Sequence, residues 1–115
     1  MAYSEALEHR IDIALNAFPK DITDRLSKKK MFGGIAFLYG GKMTVGVVKE
    51  ELMVRVISER MGTALNKRHV RPMDFTNRPM KEFVFVSPDG IRSEEQLLSW
   101  ISLGIEHAKM KLSNQ

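Results

Sequence analysis

The sequence predicts a small α+β domain in which helices cover one antiparallel sheet, and three features of the chain lead to that prediction. Strand-like apolar runs flank Gly40-Gly41, a pair that suits a two-residue hairpin turn because glycine adopts a positive φ without steric cost. Apolar residues recur at helical spacing at both ends of the chain. Consecutive strands framed by helices are typical of an α+β domain rather than of βαβ units. The expected order is α-β-β-β-α-β-β-α in two layers, as a single domain over residues 1–115.

Residues 31–56 form the centre of this prediction, a meander of three antiparallel strands. A turn at Gly40-Gly41 sets Tyr39 opposite Lys42, and alternation along the strands then separates two faces. A second reversal at Glu50-Glu51 would place Val54 and Val56 beside Val47 and Val45. The first face is wholly apolar and requires a helix layer to cover it. Its predicted members are Gly34, Ala36, Leu38, Met43, Val45, Val47, Val54 and Val56.

The second predicted face of the meander is mixed, with Arg55 lying over Gly46. Such a face is too apolar for open water, so we expect it to be partly covered by a partner subunit or by the later Arg-Pro-Met segment. The candidate interface residues on this face are Ile35, Phe37 and Met53.

The N-terminal flank carries helix signals and a basic run. Ser4 is placed to cap a helix that ends near Phe18, before Pro19. Residues 21–26 suit one more helical turn. Residues 27–30 are then expected to form a basic connector into the first strand.

The C-terminal flank is predicted to contain a short helix, an extended segment, a turn and a closing helix. The short helix covers residues 58–67, and Pro72 and Pro79 then favour extended, irregular backbone until a strand begins at Phe83. A turn follows over residues 87–90, and Ser93 with Gln96 forms a capping box for the last helix. The inward stripe of that helix is Leu97, Leu98, Ile101, Ile105, Ala108 and Leu112.

Charge and composition limit the function classes. The chain has a net charge of +4. It has no cysteine, and the absence of cysteine excludes disulfides, thiolate nucleophiles and cysteine-bound metals. Residues 21–80 hold twelve Lys/Arg against six Asp/Glu. This excess fits either a solvated basic surface or a footprint for nucleic acid or another polyanion. We find no signal-peptide pattern or membrane-spanning apolar run, and we expect a soluble, cytoplasmic protein.

No arrangement of residues predicts catalysis or a metal site. His9, His69 and His107 lack a metal-type spacing, and the serines offer no nucleophile motif. We therefore expect a protein that is not an enzyme and needs no cofactor. Gly33-Gly34 is expected to allow close backbone approach rather than to form a phosphate loop.

Basic side chains supply the candidate binding residues. Arg55, Arg71 and Arg78 could converge on a carboxylate or phosphate, to which guanidinium binds in a bidentate manner. The alternative is that these arginines pair with Asp74, Glu82 or backbone carbonyls and so fix the extended segment in place. The run Lys28, Lys29 and Lys30 completes the candidate set for an anion or a partner.

Two separated stretches of the sequence resemble a known family. They are KKMFGGIAF with GVVKEELMVRV, within residues 29–56, and RPMDFTNRPMKEFVFV with PDGI, within residues 71–91. Both are similar to the N-terminal domain of the TfoX (Sxy) competence regulators. The resemblance implies a two-layer α+β fold similar to type III secretion chaperones and often dimeric.

The resemblance also carries functional expectations. Full-length TfoX proteins promote natural-transformation genes together with the cyclic-AMP receptor protein, and they have a second, helical C-terminal domain. This chain ends at Gln115, so the resemblance implies a stand-alone member without that domain. We expect a non-enzymatic, dimeric regulatory or interaction module that acts through protein contacts. The alternative is a nucleic-acid-binding transcriptional regulator that uses the basic middle of the chain.

Overall fold

The computed structural model describes residues 3–31, 33–75 and 78–113, without the side chains of residues 73–75 and 78–81, and this part of the chain contains one six-stranded antiparallel sheet and four helices. The sheet order is β1-β2-β3-β4-β6-β5. The predicted α+β class is confirmed, with one strand more than expected. The strands are β1 (Leu26–Met31), β2 (Gly34–Tyr39), β3 (Lys42–Val48), β4 (Glu51–Arg55), β5 (Val70–Phe75) and β6 (Arg78–Val86).

The helices begin at the predicted capping residues at both ends of the chain. The Oγ of Ser4 accepts a hydrogen bond from the Leu7 amide at 3.1 Å. Ser93 Oγ accepts one from the Gln96 amide at 3.1 Å, and Gln96 Oε1 accepts one from the Ser93 amide at 3.0 Å, as a capping box requires. The helices are α1 (Glu5–Leu15), α2 (Lys20–Thr23), α3 (Ser58–Leu65) and α4 (Glu94–Ser113), and a 3₁₀ turn covers Pro88–Ile91.

The basic run at residues 27–30 belongs to an edge strand, so the predicted connector is wrong. β1 pairs with β2 along its whole length, from Leu26 opposite Tyr39 to Met31 opposite Gly34. Three consecutive lysines hide the apolar alternation by which strands are recognised in a sequence. Lysines are common on sheet edges, because their charge discourages pairing with another sheet.

A β-bulge in β3 changes which side chains face the helices. Leu38 lies opposite Met43 as predicted, but Phe37 lies opposite Val45, which leaves Thr44 as an extra residue. The Oγ1 of Thr44 donates a hydrogen bond of 2.9 Å to the Phe37 carbonyl. Because one extra residue reverses the alternation beyond it, the predicted faces of β2 are wrong.

The corrected faces follow from the two apolar clusters. Ile35 and Phe37 belong to the core beneath the helices, whereas Ala36, Leu38 and Met43 belong to a separate cluster on the other side of the sheet. Gly34 remains close to another backbone, as expected for the Gly33-Gly34 pair. A Cβ atom at Gly34 would lie 1.9 Å from the Val47 carbonyl oxygen.

The second reversal of the meander is at Lys49-Glu50 and not at Glu50-Glu51. Val48 lies opposite Glu51, and Lys49 has a φ of 54°. Val45 consequently pairs with Val54, a shift of two residues from the predicted register. A shift of two keeps each side chain on its face, so the predicted burial of Val54 and Val56 on the helix side is confirmed.

The two prolines lie in strands, so the predicted irregular backbone is wrong. Pro72 lies in β5, which is an edge strand. Pro79 lies in the N-terminal part of β6, before Phe83. This part of β6 pairs with β5 but no longer with β4. At each proline the strand is therefore paired on one side only, and no described strand on the other side requires a hydrogen bond from the ring nitrogen. Sheets accept proline under this condition.

Helices α1 and α4 cover one side of the sheet, which we name the first face, and the main core lies between this face and the two helices. Val45, Val47, Val54 and Val56 are fully buried there together, as predicted. Helix α4 lies close against the sheet at Gly104, where a Cβ atom would lie 2.5 Å from the Thr44 carbonyl oxygen. From the predicted stripe of α4, Leu97, Ile101, Ile105 and Ala108 are buried, and Leu98 and Leu112 are partly buried.

Candidate functional site

The side of the sheet opposite the main core, which we name the second face, carries its own apolar cluster. All buried members of this cluster are strand residues, and among the described residues no helix side chain takes part in it. Such a face differs from the usual solvated side of an antiparallel sheet, where polar residues alternate with apolar ones. The cluster consists of Ala36, Met43, Met53 and Phe85, with the partly buried Met31, Leu38, Val48 and Phe83 around it.

One row of this face crosses all six strands. The register aligns Lys29, Ala36, Gly46, Met53, Phe85 and Arg71. Gly46 leaves room for the side chain of Met53, since a Cβ atom at Gly46 would lie 2.8 Å from Met53 Cε. The prediction that Arg55 lies over Gly46 is wrong, because the second reversal is displaced and brings Met53 to that position. The row is apolar in its middle and cationic at both ends.

Arg71 and Arg55 flank the cluster, and each pairs with a different carboxylate. The guanidinium carbon of Arg71 lies 4.6 Å from the Phe85 ring centroid, and Arg71 also forms an ion pair with Glu51. The guanidinium carbon of Arg55 lies 5.4 Å from the Phe83 ring centroid, and its Nη2 donates to Glu82 Oε2 at 3.0 Å. Cation–π contacts of this length stabilise the aromatic rings beneath them.

The hypothesis of a shared anion site at Arg55, Arg71 and Arg78 stays a prediction. Arg55 binds Glu82, which is the pairing that the alternative hypothesis anticipated. Arg78 is the first residue of β6. Its side chain and that of Asp74 lie outside the described part of the chain.

Two of the three candidate interface residues do not lie on the second face. Ile35 and Phe37 are buried beneath the helices, since the bulge at Thr44 turns them to that side. Met53 does lie on the second face, where it is 1% exposed. The apolar side chains that remain accessible on this face are those at its margin, of which Leu38 is one.

The three lysines of β1 are separated by the alternation of the strand. Lys28 lies on the helix side, where its Nζ is 2.9 Å from Glu8 Oε2 and 3.1 Å from Asp12 Oδ2. Its hydrogen bond to Glu8, which outweighs the opposing effect of burial, raises the pKa of Lys28. Lys29 points to the second face, in the row described above. The three ammonium groups therefore do not form one clamp.

An ionic cluster around Glu82 links the sheet to helix α4. Three basic side chains surround this carboxylate: Arg55 Nη2 at 3.0 Å, His107 Nε2 at 3.0 Å and Lys111 Nζ at 3.4 Å. His107 is 2% exposed. Within the described residues, Arg55 Nε and His107 Nδ1 are buried without a hydrogen-bond partner, which is an energetically costly state for polar atoms.

The electrostatics of this cluster favour an ionised Glu82. Burial tends to raise the pKa of Glu82, but the hydrogen bonds from Arg55 and His107 outweigh burial and lower the pKa to about 2. Burial lowers the pKa of His107, against the opposing effect of its hydrogen bond to Glu82. Burial disfavours a charged imidazole, and the carboxylate favours it.

Sequence reasoning anticipated the pairing of Arg55 with Glu82 but missed His107 and Lys111, although one signal for His107 was present. Gly104 and His107 follow Leu97 at helical spacing, on the side of α4 that also carries Ile101. This spacing predicts that the His107 side chain is buried, and a buried imidazole requires a hydrogen-bond partner. Nothing local to Glu82 indicates that this residue is the partner, because the pairing spans 25 positions of the chain.

The described residues include no group of three or more His, Cys, Asp or Glu side chains that could hold a metal ion. Across the same residues, no helix is both long enough and apolar enough to cross a membrane.

Fold and surface together define an antiparallel α+β domain with helices on one side and a self-contained apolar cluster on the other. The sequence model of the TfoX N-terminal domain family matches residues 20–108. The chain therefore belongs to this family, and the resemblance found in the sequence is confirmed. No curated protein and no solved structure matches the chain significantly.

Proposed function

We propose that this protein is a non-enzymatic, cytoplasmic regulatory module of the TfoX N-terminal type, which acts as a dimer through protein contacts on the second face. One observation carries the proposal. Where side chains are described, the apolar cluster of the second face is built only from strand residues, and its partly buried margin includes Leu38, Met31 and Phe83. Apolar margins of this kind are typical of surfaces that bind another protein.

A second copy of the chain suits this face for a physical reason. In a two-fold symmetric contact each protomer presents the same patch, so the apolar margin of one copy covers that of the other. Family membership supports a competence-regulator-like role. On this proposal, the module takes part in regulating DNA-transformation genes by contacting other proteins.

The distribution of ion pairs favours protein contacts over nucleic-acid binding. Lys28, Arg55, Arg60 and Arg71 each lie within ion-pair distance of a carboxylate. A cation that is already paired within its own protein neutralises a phosphate less effectively, and binding to nucleic acid depends on such neutralisation. The basic excess of residues 21–80 is therefore partly balanced within the folded chain.

The test is the solution mass of the protein and of two matched variants. We expect light scattering to give twice the 13.1-kDa mass of one chain. Leu38→Glu places a charge at the margin of the second face and should yield monomers. Ile13→Glu, at a residue that is 54% exposed on α1, adds the same charge elsewhere and should leave the dimer intact.

Two results would contradict this proposal. One is a monomeric mass for the unmodified protein at high concentration. The other is tight binding of a DNA duplex that weakens steeply with salt, measured by fluorescence anisotropy, which would favour the nucleic-acid alternative.

A further inference from the structure

We infer that the outer edge of β1 is a docking site for an extended acidic segment of another protein, which adds to the sheet as a further strand. The inference rests on the proposed function, because it names the chemistry of a partner for the regulatory module. Strand addition of this kind gains affinity from backbone hydrogen bonds, and side chains on the two strands supply the specificity.

The first observation is that β1 offers an open edge without an internal obstacle. It has six residues, contains no proline and, within the described part of the chain, pairs with β2 alone. The opposite edge of the sheet is β5, which includes Pro72 and so lacks one backbone donor. Of the two edges, β1 presents the complete set of donors.

The register identifies which backbone groups of β1 are free. The Gly40 amide donates to the Arg25 carbonyl at 3.0 Å, so Arg25 directs its carbonyl toward β2. In an antiparallel pair, alternate residues direct both backbone groups toward the partner strand. Ser27, Lys29 and Met31 therefore bond to β2, whereas Leu26, Lys28 and Lys30 direct their amides and carbonyls outward.

The charge of this edge selects the partner. Arg25, Lys28, Lys29 and Lys30 are basic, and only Lys28 among them forms an ion pair with a carboxylate in the described residues. The Arg25 guanidinium carbon lies 6.0 Å from the Tyr39 ring centroid instead. Opposite charges placed across adjacent strands stabilise a sheet, and like charges destabilise it. An incoming strand with glutamate or aspartate side chains meets this requirement.

The same charges disfavour a second copy of the chain at this edge. In any antiparallel pairing of β1 with β1 that is centred on Lys28, on Lys29 or between them, a lysine lies opposite another lysine. Self-pairing thus carries the repulsion by which edge strands avoid aggregation. The occupant of the edge is therefore a different chain, and this contact is separate from the dimer proposed for the second face.

The test measures the exchange of single backbone amides by nuclear magnetic resonance. Three probes are added in turn: a six-residue peptide that alternates glutamate and valine, the matched lysine–valine peptide, and a single-stranded oligonucleotide. We expect the glutamate peptide alone to slow exchange at Leu26, Lys28 and Lys30 by at least about tenfold. Slowing at Ser27 and Lys29 should be smaller, because β2 already protects those amides.

Two substitutions at one residue separate the backbone from the charge. Lys30→Pro removes an outward amide that none of the six described strands uses, so the fold should remain while peptide affinity falls by about tenfold or more. Lys30→Ala keeps the backbone amide but removes the charged side chain, and it should weaken peptide binding by about threefold. Lys29→Glu should favour the lysine peptide instead.

Three outcomes would overturn the inference: no slowing at the outward amides, equal slowing by the lysine peptide, or slowing by the oligonucleotide alone. The result is independent of the dimer test. Lys30→Pro should keep the dimer mass, and Leu38→Glu should keep the protection pattern on β1. If the glutamate peptide does not slow exchange while the protein remains a dimer, only the inference of a docking site on β1 is contradicted.

Discussion

The two faces of the sheet are closed in different ways. On the first face, helices α1 and α4 seal a core that contains Phe37, Val45 and Ile101 at close to zero exposure. On the second face, strand side chains cover one another, and Arg71 lies over Phe85 at the margin. The first face is therefore a packed layer boundary, which tolerates little change in volume. The second face keeps a partly buried apolar margin, on which the proposed partner contact depends.

A single residue decides which side chains of β2 lie on each face. Thr44 is the extra residue of the bulge, and it determines that Phe37 points to the helices while its neighbour Leu38 points away. Neighbouring residues of one strand thus belong to the two different environments. They provide a direct comparison of how much each face contributes to stability.

The largest expected effect comes from truncating Phe37. Phe37→Ala should lower the free energy of unfolding by about 3–5 kcal/mol, because it removes a buried ring and leaves a cavity. Leu38→Ala should lower it by only about 1 kcal/mol, since this side chain is half-buried. Equilibrium unfolding in urea measures both values. Equal losses would show that the two faces are closed equally well.

A smaller effect is expected where α4 meets the bulge. Gly104→Ala places a Cβ atom against the Thr44 carbonyl oxygen and should destabilise the protein by about 1–3 kcal/mol through overpacking. The matched control is Gly62→Ala in α3, where the added Cβ atom has no neighbour within 4 Å. This control should stabilise the helix by about 0.5–1 kcal/mol. A neutral Gly104→Ala would mean that α4 is free to shift away from the first face.

The smallest effect concerns pH and the cluster that links α4 to β6. The pKa of His107 is lowered from its usual 6.5, so below that pH the unfolded chain binds a proton that the folded chain resists. Stability should therefore fall as the pH drops below 6.5. The pKa of Glu82 is lowered from 4.5 to about 2, so its contribution is present above pH 4.5 and is lost as the pH falls toward 2.

Two histidine variants test this pH dependence. His107→Gln should give a shallower dependence of the thermal midpoint just below pH 6.5. His9→Gln, at an exposed histidine on α1, should leave the slope as it is in the unmodified protein. Parallel curves for His107→Gln and the unmodified protein would contradict the role assigned to His107.

Local signals in the sequence were sufficient for much of the fold. Gly40 and Gly41 have φ values of 56° and 83°, as the predicted hairpin turn requires. Ser4 and Ser93 cap their helices, and the apolar stripe of α4 faces the core. Each of these features depends on residues a few positions apart, so the chain specifies it locally. The α+β class follows from their order.

The candidate site could be predicted only in part. Met53 is on the second face and Arg55 binds Glu82, as two of the predictions stated. Ile35 and Phe37 were placed on the wrong side, since no local signal marks the bulge at Thr44. The lysines of β1 carry no alternation that would identify a strand, and only pairing with β2 gives that segment its structure.

By itself, then, the sequence determined the turn at Gly40-Gly41, the caps at Ser4 and Ser93 and the apolar stripe of α4. These features arise from backbone preferences and contacts within a few residues. Tertiary structure decided the register of β2 on β3, the close approach of Gly104 to Thr44 and the meeting of Glu82 with His107. These arrangements join residues from different elements of the chain. Their energies exist only once the layers have packed, so no reading of local pattern could assign them.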